Sequence, residues 1–279
     1  MTLTTRNRFL MALNIFSFVC FVVLLVASIL FLTSDGLSSV PKTLIRNFSL
    51  GSSLFFEFSP LATILSLLVL PFYVSVFGFF AFLSFEKTKS SEIVYLSLFF
   101  LGCTMQSISV FIPIFSLWDM TSKFLLFIAK IHLAGELISS VSIFLVTMFI
   151  GAASSNERIT TTDRNVGIAV SLALFCTSIL PLNTTKITSC FWVKTGFDTE
   201  LFVLLYMVLI ICVIVFSVYS IKNGYKFFRG PVPSIILFLF GYVCITQVDC
   251  WFFFALSVLT LFLGTYGFFR FLRQKYLWN

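Results

Sequence analysis

Long apolar runs without a single charge dominate this chain, and the first of them covers residues 9–33. A transmembrane α-helix needs about 20 such residues, and the alternating pattern of a membrane β-barrel is missing. Apolar residues make up 59% of the sequence and charged residues 10%. A water-soluble domain of this length could not hide so much apolar surface from water. The sequence therefore predicts an all-α bundle of transmembrane helices, with residues 1–279 in one domain.

The number of spans depends on the last apolar run. Residues 231–269 are too many for one comfortable span and few for two spans joined by an ordinary loop. A single helix would give seven spans, whereas a hairpin within residues 230–279 that turns near residues 247–250 would give eight. We favour the hairpin because it returns the basic C-terminal tail to the side of the other basic segments. The six earlier spans, a predicted six-helix core within residues 1–221, cover residues 9–33, 60–85, 93–117, 124–153, 166–182 and 200–220.

Basic residues lie beside the spans and indicate their orientation. The net charge is +7, but in short loops next to spans such charges report the cytosolic side and not a nucleic-acid partner. A cytosolic N-terminus puts the sequon residues Asn47 and Asn183 on the opposite, luminal side. The sequence thus predicts that both termini are cytosolic and that both asparagines are glycosylation sites. The basic residues on the cytosolic side would be Arg6, Arg8, Lys87, Lys89, Arg158, Arg164, Lys222, Lys226 and Arg229.

The only histidine of the chain, His132, lies in the fourth apolar run together with Lys130 and Glu136. On a helix, His132 and Glu136 share one face, while Lys130 lies near the end of the run, where its long stem can reach the headgroups. A charge in the hydrocarbon costs roughly 3 kcal/mol, so we expect both groups to face the bundle interior. Gln106, near the middle of the third run, is a polar partner for them. The pair either forms an internal hydrogen bond or contacts a ligand.

The chain offers little for catalysis. A zinc hydrolase needs several His, Asp or Glu ligands at one depth, whereas the single histidine has only Glu136, Asp249 and Glu200 as acidic companions in spans or at a turn. Serines 139 and 140 follow on the same predicted helix, but serines in such helices more often bond to backbone or to a neighbouring helix. We therefore expect a protein without catalytic residues, bound metal or cofactor.

The chain has seven cysteines, without any metal-binding spacing. A hairpin turn at residues 247–250 would bring Asp249 and Cys250 to the luminal side, where Cys190 also lies. That compartment is oxidising, so a disulfide between Cys190 and Cys250 becomes possible if their Cα atoms come within about 7 Å. In a single tilted span, Cys250 would instead be apolar filler and Asp249 would be buried. The remaining cysteines lie inside apolar runs, namely Cys20, Cys103, Cys176, Cys212 and Cys244.

The order of these parts resembles the Frag/DRAM superfamily of post-GPI-attachment remodelling factors and damage-regulated autophagy modulators. The likeness lies in the cytosolic N-terminus, a long first luminal loop and the six-helix core. It rests on Ile131-His132 with Gly135 and Leu137, on residues 164–181, and on Pro41, Leu44 and residues 49–52 in the first loop. The resemblance covers residues 1–221, and residues 230–279 add a segment that the core lacks.

The resemblance implies a protein of lipid handling in the endoplasmic reticulum, Golgi or lysosome. Its partners would be membrane lipids, GPI-anchored substrates or other membrane proteins. A seven-helix chemoreceptor of the plasma membrane is the first alternative, although it would need an external N-terminus and a short first connection. A channel or transporter is the second, and it would need a lined polar path. Its candidate lining is sparse and lies at differing depths, comprising Lys130, His132, Glu136, Gln106 and Asp249.

Overall fold

The computed structural model describes residues 3–41, 44, 56–88, 90–118, 123–151, 155–222 and 231–277. Its helices are α1 (Leu3–Thr33), α2 (Pro60–Phe85), α3 (Ser91–Gln106), α4 (Phe111–Ile114), α5 (Lys123–Gly151), α6 (Ser155–Ile179), α7 (Asp198–Lys222), α8 (Val232–Thr246) and α9 (Trp251–Leu277). Two short antiparallel strands, β1 (Leu182–Ile187) and β2 (Val193–Thr195), form the sheet of this region. The predicted all-α bundle is confirmed.

Six helical segments in the described residues are long and apolar enough to cross a membrane. They are α1, α2, the segment from α3 through α4, α5, α7 and α9. The last apolar run is broken at residues 247–250, where the hairpin turn was predicted, but α8 has only 15 residues. The other helix outside the six is α6, whose first turns are polar. These are the helices of an integral membrane protein.

Two predicted boundaries differ from the structure. The third span is not one α-helix, because α3 ends at Gln106 and a 3₁₀ turn, Ser107–Val110, precedes α4. The polar segment before residue 166 is helical, since α6 begins at Ser155. Residues 155–165 contain neither proline nor glycine, so their polarity marks an exit from the apolar layer without breaking the helix.

Glycines allow two pairs of helices to approach closely. On α3 and α5, a Cβ atom added to Gly102 would lie 2.6 Å from the Gly135 carbonyl oxygen. On α8 and α9, a Cβ atom added to Gly241 would meet the backbone of Leu261, and one added to Gly264 would meet the backbone of Phe238. Small residues permit such backbone contacts, which strengthen van der Waals packing between membrane helices.

Both described ends of the chain lie at one end of the bundle, here called the terminal end. The buried Arg6 donates hydrogen bonds to the carbonyl oxygens of Thr88 and, at 2.6 Å, Phe85, in and beside the α2–α3 connection. At the start of α3, the carboxylate of Glu92 is 3.1 Å from the Lys275 ammonium of α9 and accepts a hydrogen bond from Tyr276. The opposite end, which carries the β1–β2 sheet and the α8–α9 turn, is called the hairpin end.

Candidate functional site

A buried polar cluster joins α3, α5 and α8 in the middle of the bundle. The side-chain amide of Gln106 donates hydrogen bonds to Ser139 Oγ at 3.1 Å and to Tyr242 Oη at 2.9 Å. Its own amide oxygen is buried and has no hydrogen-bond partner within the described residues. The sequence pointed to Gln106, and the phenol of Tyr242 in an otherwise apolar run was a further signal, because a buried Tyr hydroxyl needs a partner.

His132 lies beside this cluster and is 8% exposed. Its Nδ1 is 3.0 Å from the backbone carbonyl oxygen of Gln106. A carbonyl oxygen can only accept, so Nδ1 carries a proton in this contact. At Gln106 the α-helix gives way to the 3₁₀ turn Ser107–Val110, and the same carbonyl oxygen also accepts a 3.0 Å hydrogen bond from Ser109 Oγ. The predicted partner residue of His132 is thus reached through its main chain and not through its amide.

Glu136 lies one turn further along α5, in a narrow cleft between α5, α7 and α8. Its carboxylate is half-buried. The cleft has a volume of about 20 Å³, which is room for about one water molecule. Six residues with side-chain oxygens line it, and they are Glu136, Ser140, Tyr206, Tyr242, Thr246 and Gln247. Such a cleft can hold a water or a small ion, but it is too small for an organic ligand.

A larger, open groove runs between α5 and α6 and has a volume of about 440 Å³. Lys130 lies along it and donates a 3.4 Å hydrogen bond to the Ser178 carbonyl oxygen in the last turns of α6. Lys123, the first residue of α5, stands two turns away on the same helix face. The sequence pointed to Lys130 but not to Lys123, although their spacing was a readable signal. The lining is otherwise apolar or hydroxylic, comprising Met105, Leu126, Phe127, Ile131, Ala134, Leu174, Thr177 and Ser178.

Asp249 lies at the hairpin end and not in the middle of the bundle. Its carboxylate is buried and accepts a 3.3 Å hydrogen bond from Ser189 Oγ, while its carbonyl oxygen accepts one of 2.9 Å from the Ser59 amide. Thr63 Oγ1 lies 3.3 Å and 3.2 Å from the carbonyl oxygens of Ser189 and Val248. The turn between α8 and α9 is therefore tied both to the start of α2 and to the loop between β1 and β2.

Cys190 and Cys250 directly follow the hydrogen-bonded residues Ser189 and Asp249, and both are buried. Both residues carry thiols in the structure, and the disulfide between them stays a prediction for an oxidising compartment. No group of three or more His, Cys, Asp or Glu side chains within the described ranges could hold a metal ion.

The two sequons have different positions. Asn47 lies outside the described residues. Asn183 is half-buried in β1, and its Oδ1 accepts a 2.7 Å hydrogen bond from the Thr185 hydroxyl. Glycosylation at either site stays a prediction.

Comparison with protein-family models, curated proteins and solved structures finds no match to this chain. The likeness to the Frag/DRAM superfamily therefore stays a prediction from the sequence. The structure separates the candidate residues into four places: His132 with Gln106 in the interior, Glu136 in the narrow cleft, Lys130 at the groove, and Asp249 at the hairpin end.

Proposed function

We propose that this membrane protein handles lipids and that it binds them in the groove between α5 and α6. The observation that carries the proposal is the groove itself, which is open on one side, apolar along its walls and provided with lysines at its edge. Exposed side chains such as Phe127 (60%) and Leu174 (51%) make up its walls. In a membrane, lipid chains surround such surfaces, so a lipid can enter from the side without a path through water.

The volume of the groove agrees with this use. Ligand pockets measure roughly 300–1,000 Å³, and the groove at about 440 Å³ falls in this range. It would hold part of one lipid. The interior offers less, because the Glu136 cleft has about 20 Å³ and the amide of Gln106 is engaged by Ser139 and Tyr242.

The finer proposal is that the lipid belongs to GPI-anchor maturation or to a related process of autophagy or lipid signalling in the endomembrane system. It is supported by the sequence resemblance alone. A chemoreceptor or a transporter stays the alternative, and the polar cleft at Glu136, which either would use, has only about 20 Å³.

Lipid retention by the purified, full-length protein tests the proposal. Native mass spectrometry after mild delipidation should find co-purified lipid on the protein. Leu174→Trp should fill the groove and lower retention several-fold. Ile210→Trp is the matched control, because Ile210 of α7 is similarly exposed, at 59%, but does not line the groove. Equal retention by the two variants would refute lipid binding in this groove.

A further inference from the structure

Two lysines stand at one edge of the α5–α6 groove. We propose that the groove binds a phospholipid with an anionic headgroup at the hairpin end of the bundle, an inference that rests on the proposed function. Lys123 and Lys130 contribute two positive charges to one edge. No acidic side chain lines the groove among the residues that the structure describes, so none of them offsets those charges.

Within the described part of the chain, neither lysine has an acidic partner. Among the described residues, Lys130 contacts only the neutral carbonyl oxygen of Ser178, at 3.4 Å, and Lys123 has no ion pair or hydrogen bond. A long, weak contact of this kind satisfies one donor of an ammonium group and leaves its charge uncompensated. A lysine at membrane depth is expected to have a counter-charge, and an anion from the membrane would supply it.

The two ammonium groups fit one lipid because of their order along α5. Lys123 stands at the first residue of the helix, where headgroups lie, and Lys130 stands two turns, or about 10 Å, deeper. From there its flexible stem can extend toward the same headgroup. Below the headgroup, Leu126, Phe127 and Ile131 of α5 offer apolar surface to an acyl chain, and Leu174 of α6 offers the facing wall.

The apolar wall of the groove favours a lipid over a soluble anion as the ligand. A free phosphate could pair with the lysines, but it would leave the carbon-lined part of the groove unused. A phospholipid matches both parts, because its phosphate meets the ammonium groups and its chain covers the apolar residues. The geometry therefore points to phosphatidylglycerol-like lipids over phosphatidylcholine-like lipids with identical chains.

Competition between these two lipids tests the inference on the full-length protein in detergent. Native mass spectrometry should show that the protein retains dipalmitoyl phosphatidylglycerol in preference to phosphatidylcholine with the same two palmitoyl chains. A basic residue near an anionic surface contributes about five-fold in affinity, so Lys123→Gln and Lys130→Gln should each lower the preference by about that factor. Lys130→Arg should keep most of it, because the charge is retained.

Lys186→Gln is the matched control, since Lys186 is an exposed lysine of β1 at the same end of the bundle but outside the groove. It should leave the lipid preference unchanged. Equal retention of both lipids by the unmodified protein, or equal effects of Lys186→Gln and Lys130→Gln, would overturn the inference. If lipid still binds without regard to charge and Leu174→Trp still removes it, lipid handling stands and only the headgroup assignment fails. If Leu174→Trp changes nothing, the proposed function fails.

Discussion

At the scale of single residues, the amide of Gln106 connects three helices. It extends from the last residue of α3 to Ser139 of α5 and Tyr242 of α8. In membrane proteins such hydrogen bonds contribute modestly, but a buried donor that loses its partner costs about 1–3 kcal/mol. The stability of this contact therefore depends on both of its partners.

Gln106→Met should lower the free energy of unfolding by about 1–2 kcal/mol, because the Tyr242 hydroxyl loses a donor while the side-chain length is kept. Chemical unfolding in detergent, followed by tryptophan fluorescence, measures the change. Tyr242→Phe is the second arm of a double-mutant cycle. The double variant should lose less free energy of unfolding than the sum of the two single losses. Full additivity would show that the contact does not stabilise the protein.

Part of this cluster could be predicted from the sequence. Gln106, His132 and Glu136 stand out because polar groups are rare in their spans. The contacts of these residues could not be predicted from the sequence. The surface of α8 is mostly apolar, so the sequence does not indicate which of its faces packs against α3. His132 contacts a backbone carbonyl at the point where α3 gives way to a 3₁₀ turn, and the apolar pattern did not reveal that change of helix type.

At the scale of helices, the approach of α3 and α5 depends on two facing glycines, Gly102 and Gly135. Gly102→Ala would place its Cβ 2.6 Å from the Gly135 carbonyl oxygen. We expect a loss of about 1–3 kcal/mol in the free energy of unfolding, since an overpacked contact forces the helices apart.

Gly167→Ala on α6 is the control for that substitution, because a Cβ there meets nothing within 4 Å. It should raise stability by up to about 1 kcal/mol through helix propensity. Thermal unfolding of both variants in the same detergent compares them. A Gly102→Ala protein as stable as the Gly167→Ala protein would contradict the close packing.

The predicted helix boundaries agree with the structure where the polar residues that flank an apolar run also end the helix. The turn at residues 247–250 was predicted from the length of the last apolar run and from the basic tail after it, which a hairpin returns to the cytosolic side. The start of α6 at Ser155 was missed because polar residues alone do not break a helix. The β1–β2 sheet was missed because the segment was read as a loop between spans, although Thr184, Ile187 and Val193 are β-branched.

At the scale of the whole molecule, contacts at the terminal end join the beginning and the end of the chain. Arg6 of α1 binds the α2–α3 connection, and Lys275 of α9 binds Glu92 of α3. The Glu92 side chain is fully buried, and that of Lys275 is 12% exposed. Removing one partner of a buried pair leaves an uncompensated charge, which costs more than the pair itself contributes.

Lys275→Met should therefore lower the free energy of unfolding by about 3 kcal/mol. Arg273→Met, a change at an exposed basic residue of the same helix, should cost much less. The double substitution of Glu92→Gln with Lys275→Met should recover much of the loss, because no buried charge then remains. Equal stability of the two single variants, measured by chemical unfolding, would refute the role of the pair.

The shared position of the two ends also predicts their topology. Tags on the N- and C-termini should become accessible to antibody on the same side of the membrane, and the basic loops indicate the cytosol. Selective permeabilisation of the plasma membrane should expose both tags together. A protein with one tag on each side would contradict the arrangement of the helices.

Finally, the 15 residues of α8 have a consequence for the surrounding bilayer. At 1.5 Å per residue the helix is about 22 Å long, while the hydrocarbon core is about 30 Å thick. It cannot be extended at the hairpin end, because the next residues are held by Ser59 and Ser189. Lipids beside Ile236 and Phe240, which are 40% and 45% exposed, would have to compress. Hydrophobic mismatch of this kind costs a fraction of a kcal/mol per Å, so the short helix should thin the bilayer locally on its own side of the bundle.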